Sequence, residues 1–155
     1  AVMTSAIRRL AAASLSLAVL AACGGDGPTE PRSVNLSGTW RVSFTNLTGS
    51  GITCGTSTID YAISQSGSAF TGTSNSTYTI SCTDGVTTLS ENFTGAIISN
   101  GQVNGSAITF DLATSAAHQS GTVSGNSISG SSTWTLDLGS SGTVVLQGQF
   151  GGVKL

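Results

Sequence analysis

The sequence predicts an all-β domain, an antiparallel up-and-down meander of about eight to ten strands closed into a barrel, with a two-sheet β-sandwich as the alternative. Three observations carry this reading. From Leu36 onward apolar residues recur at every second position, the period of a half-buried strand. Asn-Gly, Gly-Asn and Ser-Gly steps break the alternation at short and fairly even intervals, which suits tight hairpins. Both prolines, Pro28 and Pro31, lie upstream, so no later residue lacks the N–H that a sheet ladder requires.

The elements follow in chain order. Trp40, Val42 and Phe44 alternate with Arg41, Ser43 and Thr45, giving a strand near 39–45. Ile59, Tyr61 and Ile63 mark a second over 57–65, which ends at the "SGS" of 66–68. Shorter strands are expected near 69–74 and 77–82, and the stretch 86–103 reads as one strand or two. Ile108, Phe110 and Leu112 define 106–113, after the Asn-Gly steps at 100–101 and 104–105. Strands over 117–124 and 127–137 flank the Gly-Asn step at 125–126, the latter carrying Ile128, Trp134 and Leu136. The "GSSG" of 139–142 turns the chain into a last strand over 142–152, with Val144, Leu146 and Phe150 on its apolar side. No window after residue 23 has helical periodicity. Even spacing and short hairpins favour a barrel, which leaves no open edge, over a two-sheet sandwich.

Upstream, Arg8 and Arg9 precede an apolar run from Leu10 to Ala22, the layout of a secretory signal peptide over residues 1–22. The run is shorter than the roughly 20 residues a membrane-spanning helix needs. Leu20-Ala21-Ala22-Cys23 resembles the lipobox of bacterial lipoproteins. The resemblance implies that Cys23 carries a diacylglycerol thioether, that a peptidase cuts before it, and that acyl chains anchor the protein to a membrane. An ordinary signal peptide cut near Ala22 is the alternative. Gly24, rather than aspartate, follows the cysteine, which by that resemblance implies the outer membrane, facing the periplasm or the cell surface. Residues 23–35 then form the lipidated cysteine and a Gly- and Pro-rich tether, and 36–155 the barrel domain.

Beyond residue 22 the chain keeps three basic residues (Arg32, Arg41, Lys154) against seven acidic ones. The clustered Lys and Arg of a nucleic-acid binder are missing, so that partner class is excluded. With Cys23 assigned to lipid, Cys54 and Cys82 are an even pair in an oxidising compartment and are expected to form a disulfide, two unrelated buried thiols being the alternative. Closing that loop would stabilise the fold by roughly 3 kcal/mol. Two cysteines and the lone His118 have no metal-ligand spacing, and neither a metal nor a cofactor is expected.

No nucleophile, base or carboxylate pair falls on one strand face, so an enzyme is not expected. Asp60, Asp111 and His118 read as exposed polar-face residues. Gly72, Gly95, Gly130 and Gly148 share parity with the apolar face, as cavity-forming positions or as kinks.

Gly38-Thr39-Trp40 at the head of the first strand resembles the Gly-x-Trp signature of the calycin superfamily, which includes the lipocalins, fatty-acid-binding proteins and avidins. In that family the tryptophan plugs the closed end of the barrel under a basic residue from the last strand, and here Lys154 is the basic residue so placed. An arginine at that place and the lipocalin C-terminal helix are absent. The resemblance implies a lipid-anchored envelope lipoprotein binding a small apolar or amphipathic ligand. It carries over no ligand contacts; Trp40, Tyr61, Phe110 and Trp134 are the expected lining because they lie on the apolar strand faces. The alternative is an envelope structural or protein-interaction module, including a protease-inhibitor-type barrel, with a protein partner and no small ligand.

Overall fold

A computed structural model describes residues 34–113, 115–137 and 142–155. Cys23, the signal peptide and most of the tether lie outside these residues. Among these residues eleven strands form one sheet: β1 (Gly38–Gly49), β2 (Ile52–Cys54), β3 (Ser57–Ser66), β4 (Ala69–Thr73), β5 (Thr77–Thr83), β6 (Thr88–Thr94), β7 (Ile97–Asn104), β8 (Ala107–Leu112), β9 (Ala117–Ser124), β10 (Ser127–Asp137) and β11 (Thr143–Lys154). The order β1-β3-β4-β7-β8-β9-β10-β11 returns to β1 and closes an eight-stranded antiparallel barrel. The remaining strands, β2, β5 and β6, continue the sheet outward from the end of β1.

The expected meander therefore holds with one excursion. β4 pairs with β7 instead of β5, which sets the β5–β6 hairpin outside the wall. The long β1 makes this possible. Its first part lies between β3 and β11, while Thr48 and Gly49 pair with Thr53 and Ile52 of β2 around the turn at Ser50 and Gly51. Ser50 has φ 51° and Gly51 φ 80°, the positive values that a two-residue hairpin turn demands.

Alternation sorts the side chains as expected. Trp40, Val42, Phe44, Ile59, Tyr61, Ile108, Phe110, Leu112, Trp134, Leu146 and Phe150 are all buried, whereas their intervening neighbours face solvent or sit half-buried. Aromatic rings meet edge to face through the interior: Phe44 on Trp134 at 5.4 Å, and Phe110 on both Phe150 (5.3 Å) and Phe70 (5.9 Å).

One end of the barrel is plugged. Trp40 is fully buried and its indole N–H donates to the Leu36 carbonyl at 2.7 Å. Gln65 straps the incoming chain down, its Oε1 accepting from Leu36 N (2.7 Å) and its Nε2 donating to the Val34 carbonyl (2.8 Å). The Lys154 ammonium lies 5.9 Å from the Trp40 ring centroid and donates to the Asn35 carbonyl at 3.3 Å. Gly38 makes room for it. A Cβ there would come within 2.9 Å of Lys154 Cε, and φ of 129° is a conformation that side-chain-bearing residues rarely adopt.

The interior is filled. A void of about 10 Å³ remains between Leu36, Val42, Ile63, Phe70, Ile98, Ile108, Phe110 and Ile128, at the limit for one water and without a polar wall to hold it. The inward glycines are sites of close approach. Gly121 and Gly130 face each other across β9 and β10, and a Cβ on Gly130 would meet the Ser120 carbonyl oxygen at 2.2 Å and the Phe150 ring at 2.8 Å. Gly72 and Gly148 are likewise pressed against Ile98 and against Leu47 with the Thr45 carbonyl. Of the two roles these positions could take, Gly72, Gly130 and Gly148 let strands and rings come together and do not open a cavity. Gly95 is not such a contact: with φ of 74° and open space where a Cβ would sit, it serves the turn between β6 and β7.

Candidate functional site

The open concavity lies outside the barrel, at the end opposite Trp40, and its geometry starts from two seven-residue stretches. β5 reads TYTISCT and β6 reads TLSENFT, paired so that Tyr78 opposes Phe93, Ile80 opposes Glu91 and Cys82 opposes Leu89. Directly opposed residues share a face. One face thus carries Tyr78, Ile80, Cys82, Leu89, Glu91 and Phe93, and the other is entirely Thr, Ser and Asn. The polar face is laced across the strands by bonds between Ser81 and Ser90 (2.8 Å), Thr79 and Asn92 (2.6 Å), and Thr77 and Thr94 (3.2 Å).

Asp84 builds the hairpin turn, its Oδ1 accepting from the backbone N–H of Thr87 (2.7 Å) and Val86 (2.9 Å). Those backbone bonds, Thr87 first, hold its carboxyl below the usual carboxylate range. Val86 at the tip is 95% exposed, a large apolar side chain offered to solvent. At the other end of the hairpin Tyr78 and Phe93 stack at 5.2 Å with their planes 16° apart. The Cys54–Cys82 disulfide ties β5 to β2, as the cysteine pairing predicted.

Between the apolar face of this hairpin and the barrel rim lies a groove of about 860 Å³. Ile52, Ile80, Cys82, Leu89 and Phe93 form the hairpin wall; Ala113, Ser115, Ala116 and Thr135 to Asp137 form the rim. Asp84, Glu91 and Asp137 are its charged lining residues, with no Lys, Arg or His among them. Leu89, 63% exposed, stands at its mouth. Chemically the groove offers a half-open apolar wall with negative charge set into it.

The four residues expected to contact a ligand are all core side chains, between 0 and 2% exposed. Trp40 and Tyr61 are cross-strand partners at the plugged end. Phe110 and Trp134 pack within the aromatic layer, and the Trp134 indole donates to Ser132 Oγ at 2.6 Å. None of the four lines the external groove. Burial, and next the neighbouring Tyr78, raise the Tyr61 phenol far above the ordinary tyrosine range.

Of the polar-face residues His118 is exposed, as read, Asp60 and Asp111 are half-buried, and all three have partners. Arg41 donates two hydrogen bonds of 2.8 Å to Asp60. His118 Nδ1 and Asp111 Oδ1 lie 2.7 Å apart, and Asn100 donates to Asp111 Oδ2 at 2.9 Å. No group of three or more His, Cys, Asp or Glu that could hold a metal occurs among the described residues.

Sequence reading passed over Ile52, Ile80, Leu89, Glu91 and Phe93. For Leu89, Glu91 and Phe93 the signal was present as an apolar alternation in 86–103 with an acid, Glu91, standing in it at the apolar parity; Ile80 belongs to the alternation of Tyr78, Ile80 and Cys82, and Ile52 sits in a stretch too short to show one. No protein-family model matches this chain, and neither a curated protein nor a solved structure resembles it significantly.

Proposed function

We propose that this chain is a lipid-anchored protein of the cell envelope, held through Cys23 at the outer membrane, whose solid barrel is a scaffold for an external protein-binding groove. One observation carries the reading: the void between Leu36, Phe70 and Phe110 inside the barrel is about 10 Å³, against about 860 Å³ for the groove beside the β5–β6 hairpin. The Trp40–Lys154 arrangement at the plugged end supports a calycin-like ancestry for the scaffold. A filled barrel leaves the ligand chamber of that family without a counterpart here. Exposed Val86 and Leu89 beside the groove are the side chains a partner would cover.

A second reading is favoured by the groove's size, which falls in the range of about 300 to 1,000 Å³ typical of small-molecule sites. On that reading the occupant is a small amphipathic molecule. Two measurements separate the readings. A photo-reactive residue at position 89, with one at Val145 on the barrel wall as the control, should crosslink to protein from position 89 alone in the intact envelope. Native mass spectrometry of the chain from the same membranes should then show no bound small molecule. A co-purifying ligand with no crosslink from position 89 would transfer the assignment to the second reading. Anchoring is tested separately, since Cys23→Ser should abolish membrane retention.

A further inference from the structure

We propose that the outer edge of β6 accepts an extended peptide strand bearing a lysine or arginine opposite Glu91, flanked on the groove side by apolar residues. This rests on the protein-binding reading above and names the partner's chemistry. Among the described residues β6 ends the sheet order and has a partner on one side only, β5, whereas the barrel strands are paired on both sides.

The register identifies the backbone groups that face outward. The Ser81 carbonyl accepts from Gly55 N at 2.8 Å, on the side of β5 away from β6. Ser81 and Ser90 are therefore a non-hydrogen-bonded pair. Alternation makes Ile80–Glu91 and Cys82–Leu89 the bonded pairs, and Thr79–Asn92 another non-bonded one. The close Ser81–Ser90 and Thr79–Asn92 side-chain bonds fit this phase. The N–H and C=O groups of Ser90 and Asn92 then point away from β5, along the free edge.

Natural edges are blunted by lysine, proline or a bulge. β6 has none of these three, and its register with β5 is unbroken from Thr88 to Thr94. Its one protective charge is the inward-facing Glu91, which repels a strand that is acidic or identical there and admits one that brings a cation. A strand added here would set alternate side chains beside Leu89, Glu91 and Phe93, over the mouth of the groove. Asp84, Glu91 and Asp137 make that mouth acidic, which selects a cationic residue. Charge also disfavours a second copy of the chain, because the antiparallel self-pairing of greatest overlap, Thr88 against Thr94, would set two Glu91 carboxylates face to face.

The test uses acetyl-Thr-Leu-Thr-Lys-Thr-Leu-Thr-amide, a counterpart with glutamate in place of lysine, and the purified full chain. The lysine peptide should bind roughly tenfold more tightly than the glutamate peptide, and Glu91→Lys should reverse the preference. Binding should slow amide exchange at Ser90 and Asn92 and leave Glu91 unchanged. Ser90→Pro removes an outward N–H without touching the β5–β6 ladder, so it should abolish binding while the thermal midpoint stays within a few degrees.

Equal affinity for both peptides, no binding of either, or indifference to Ser90→Pro would overturn the strand-addition proposal. A concentration-dependent dimer that Ser90→Pro dissolves would overturn it too, in favour of self-association. If crosslinks from position 89 persist in the Ser90→Pro chain, the protein-binding groove stands and edge addition alone fails. If position 89 gives no crosslink at all, the groove reading itself fails.

Discussion

Replacing Trp40 by alanine strikes the plugged end where several interactions converge, and the size of the effect follows from the structure. The indole is wholly buried. A tryptophan side chain buries about 150 to 250 Å², which at about 25 cal/mol per Å² is worth roughly 4 to 6 kcal/mol. Measured truncations of large aromatics cluster at about 3 to 5 kcal/mol. The Leu36 carbonyl would also lose its donor, but at the barrel end water can follow into the vacated space and offset part of that loss. We expect Trp40→Ala to cost about 4 kcal/mol. Trp40→Phe keeps most of the burial and removes the N–H, so its cost should be about 1 to 2 kcal/mol. Lys154→Met removes only a half-exposed cation over the ring and should cost less than about 1 kcal/mol. Urea titration followed by far-ultraviolet circular dichroism measures all three. A Trp40→Ala loss under about 1 kcal/mol, or a larger loss for Lys154→Met than for Trp40→Phe, would refute the plug as the keystone of this end.

Three further outcomes are expected. Replacing both Cys54 and Cys82 by alanine should lower stability by roughly 3 kcal/mol and, in hydrogen exchange, loosen β5 and β6 more than the barrel. Gln119 is fully buried on β9 and both of its amide atoms are without a hydrogen-bond partner among the described residues, so Gln119→Met should raise the unfolding free energy by about 1 to 3 kcal/mol, measured by the same titration. Stability should be level through neutral pH and fall at both extremes of a thermal-melt series. Asp60, held low by the Arg41 hydrogen bonds, and Asp111, held low by Asn100 and then His118, contribute stability above the unfolded carboxylate pKa of about 4 and lose it as pH drops through their lower folded values. The raised Tyr61 contributes fully below the unfolded tyrosine pKa of about 10, and that contribution declines as pH climbs above it.

The barrel strands were legible because burial on one side of a sheet imposes period two, and Trp40-Arg41-Val42-Ser43-Phe44 obeys it without interruption. The disulfide was legible from arithmetic alone. β2 was not, since Ile52-Thr53-Cys54 is too short to display a period. The exit of the β5–β6 hairpin from the wall was also hidden. Turn residues indicate that neighbouring strands fold back, but the choice of β7 over β5 as the partner of β4 is made by packing distant in sequence. The groove inherits this difficulty, because its two walls, Leu89 with Phe93 and Ala113 with Leu136, meet only after that choice. Packing of the interior could not be read either, since Gly130 leaves a gap or a close contact depending on the depth to which Phe150 reaches.

The route by which β1 joins the barrel to the hairpin has a mechanical consequence. A pull applied between residue 34 and β6 travels along the axis of β1, whose flanks are bonded to β3 and β11. Those bonds are loaded together in shear and cannot be opened one by one like a zipper. At Cys54 the line of force crosses the disulfide directly to Cys82 and leaves residues 55 to 81 unloaded. Traction on the hairpin would therefore stiffen a covalent strut of β1, β2 and the end of β5, while β3 and β4 keep their places in the wall.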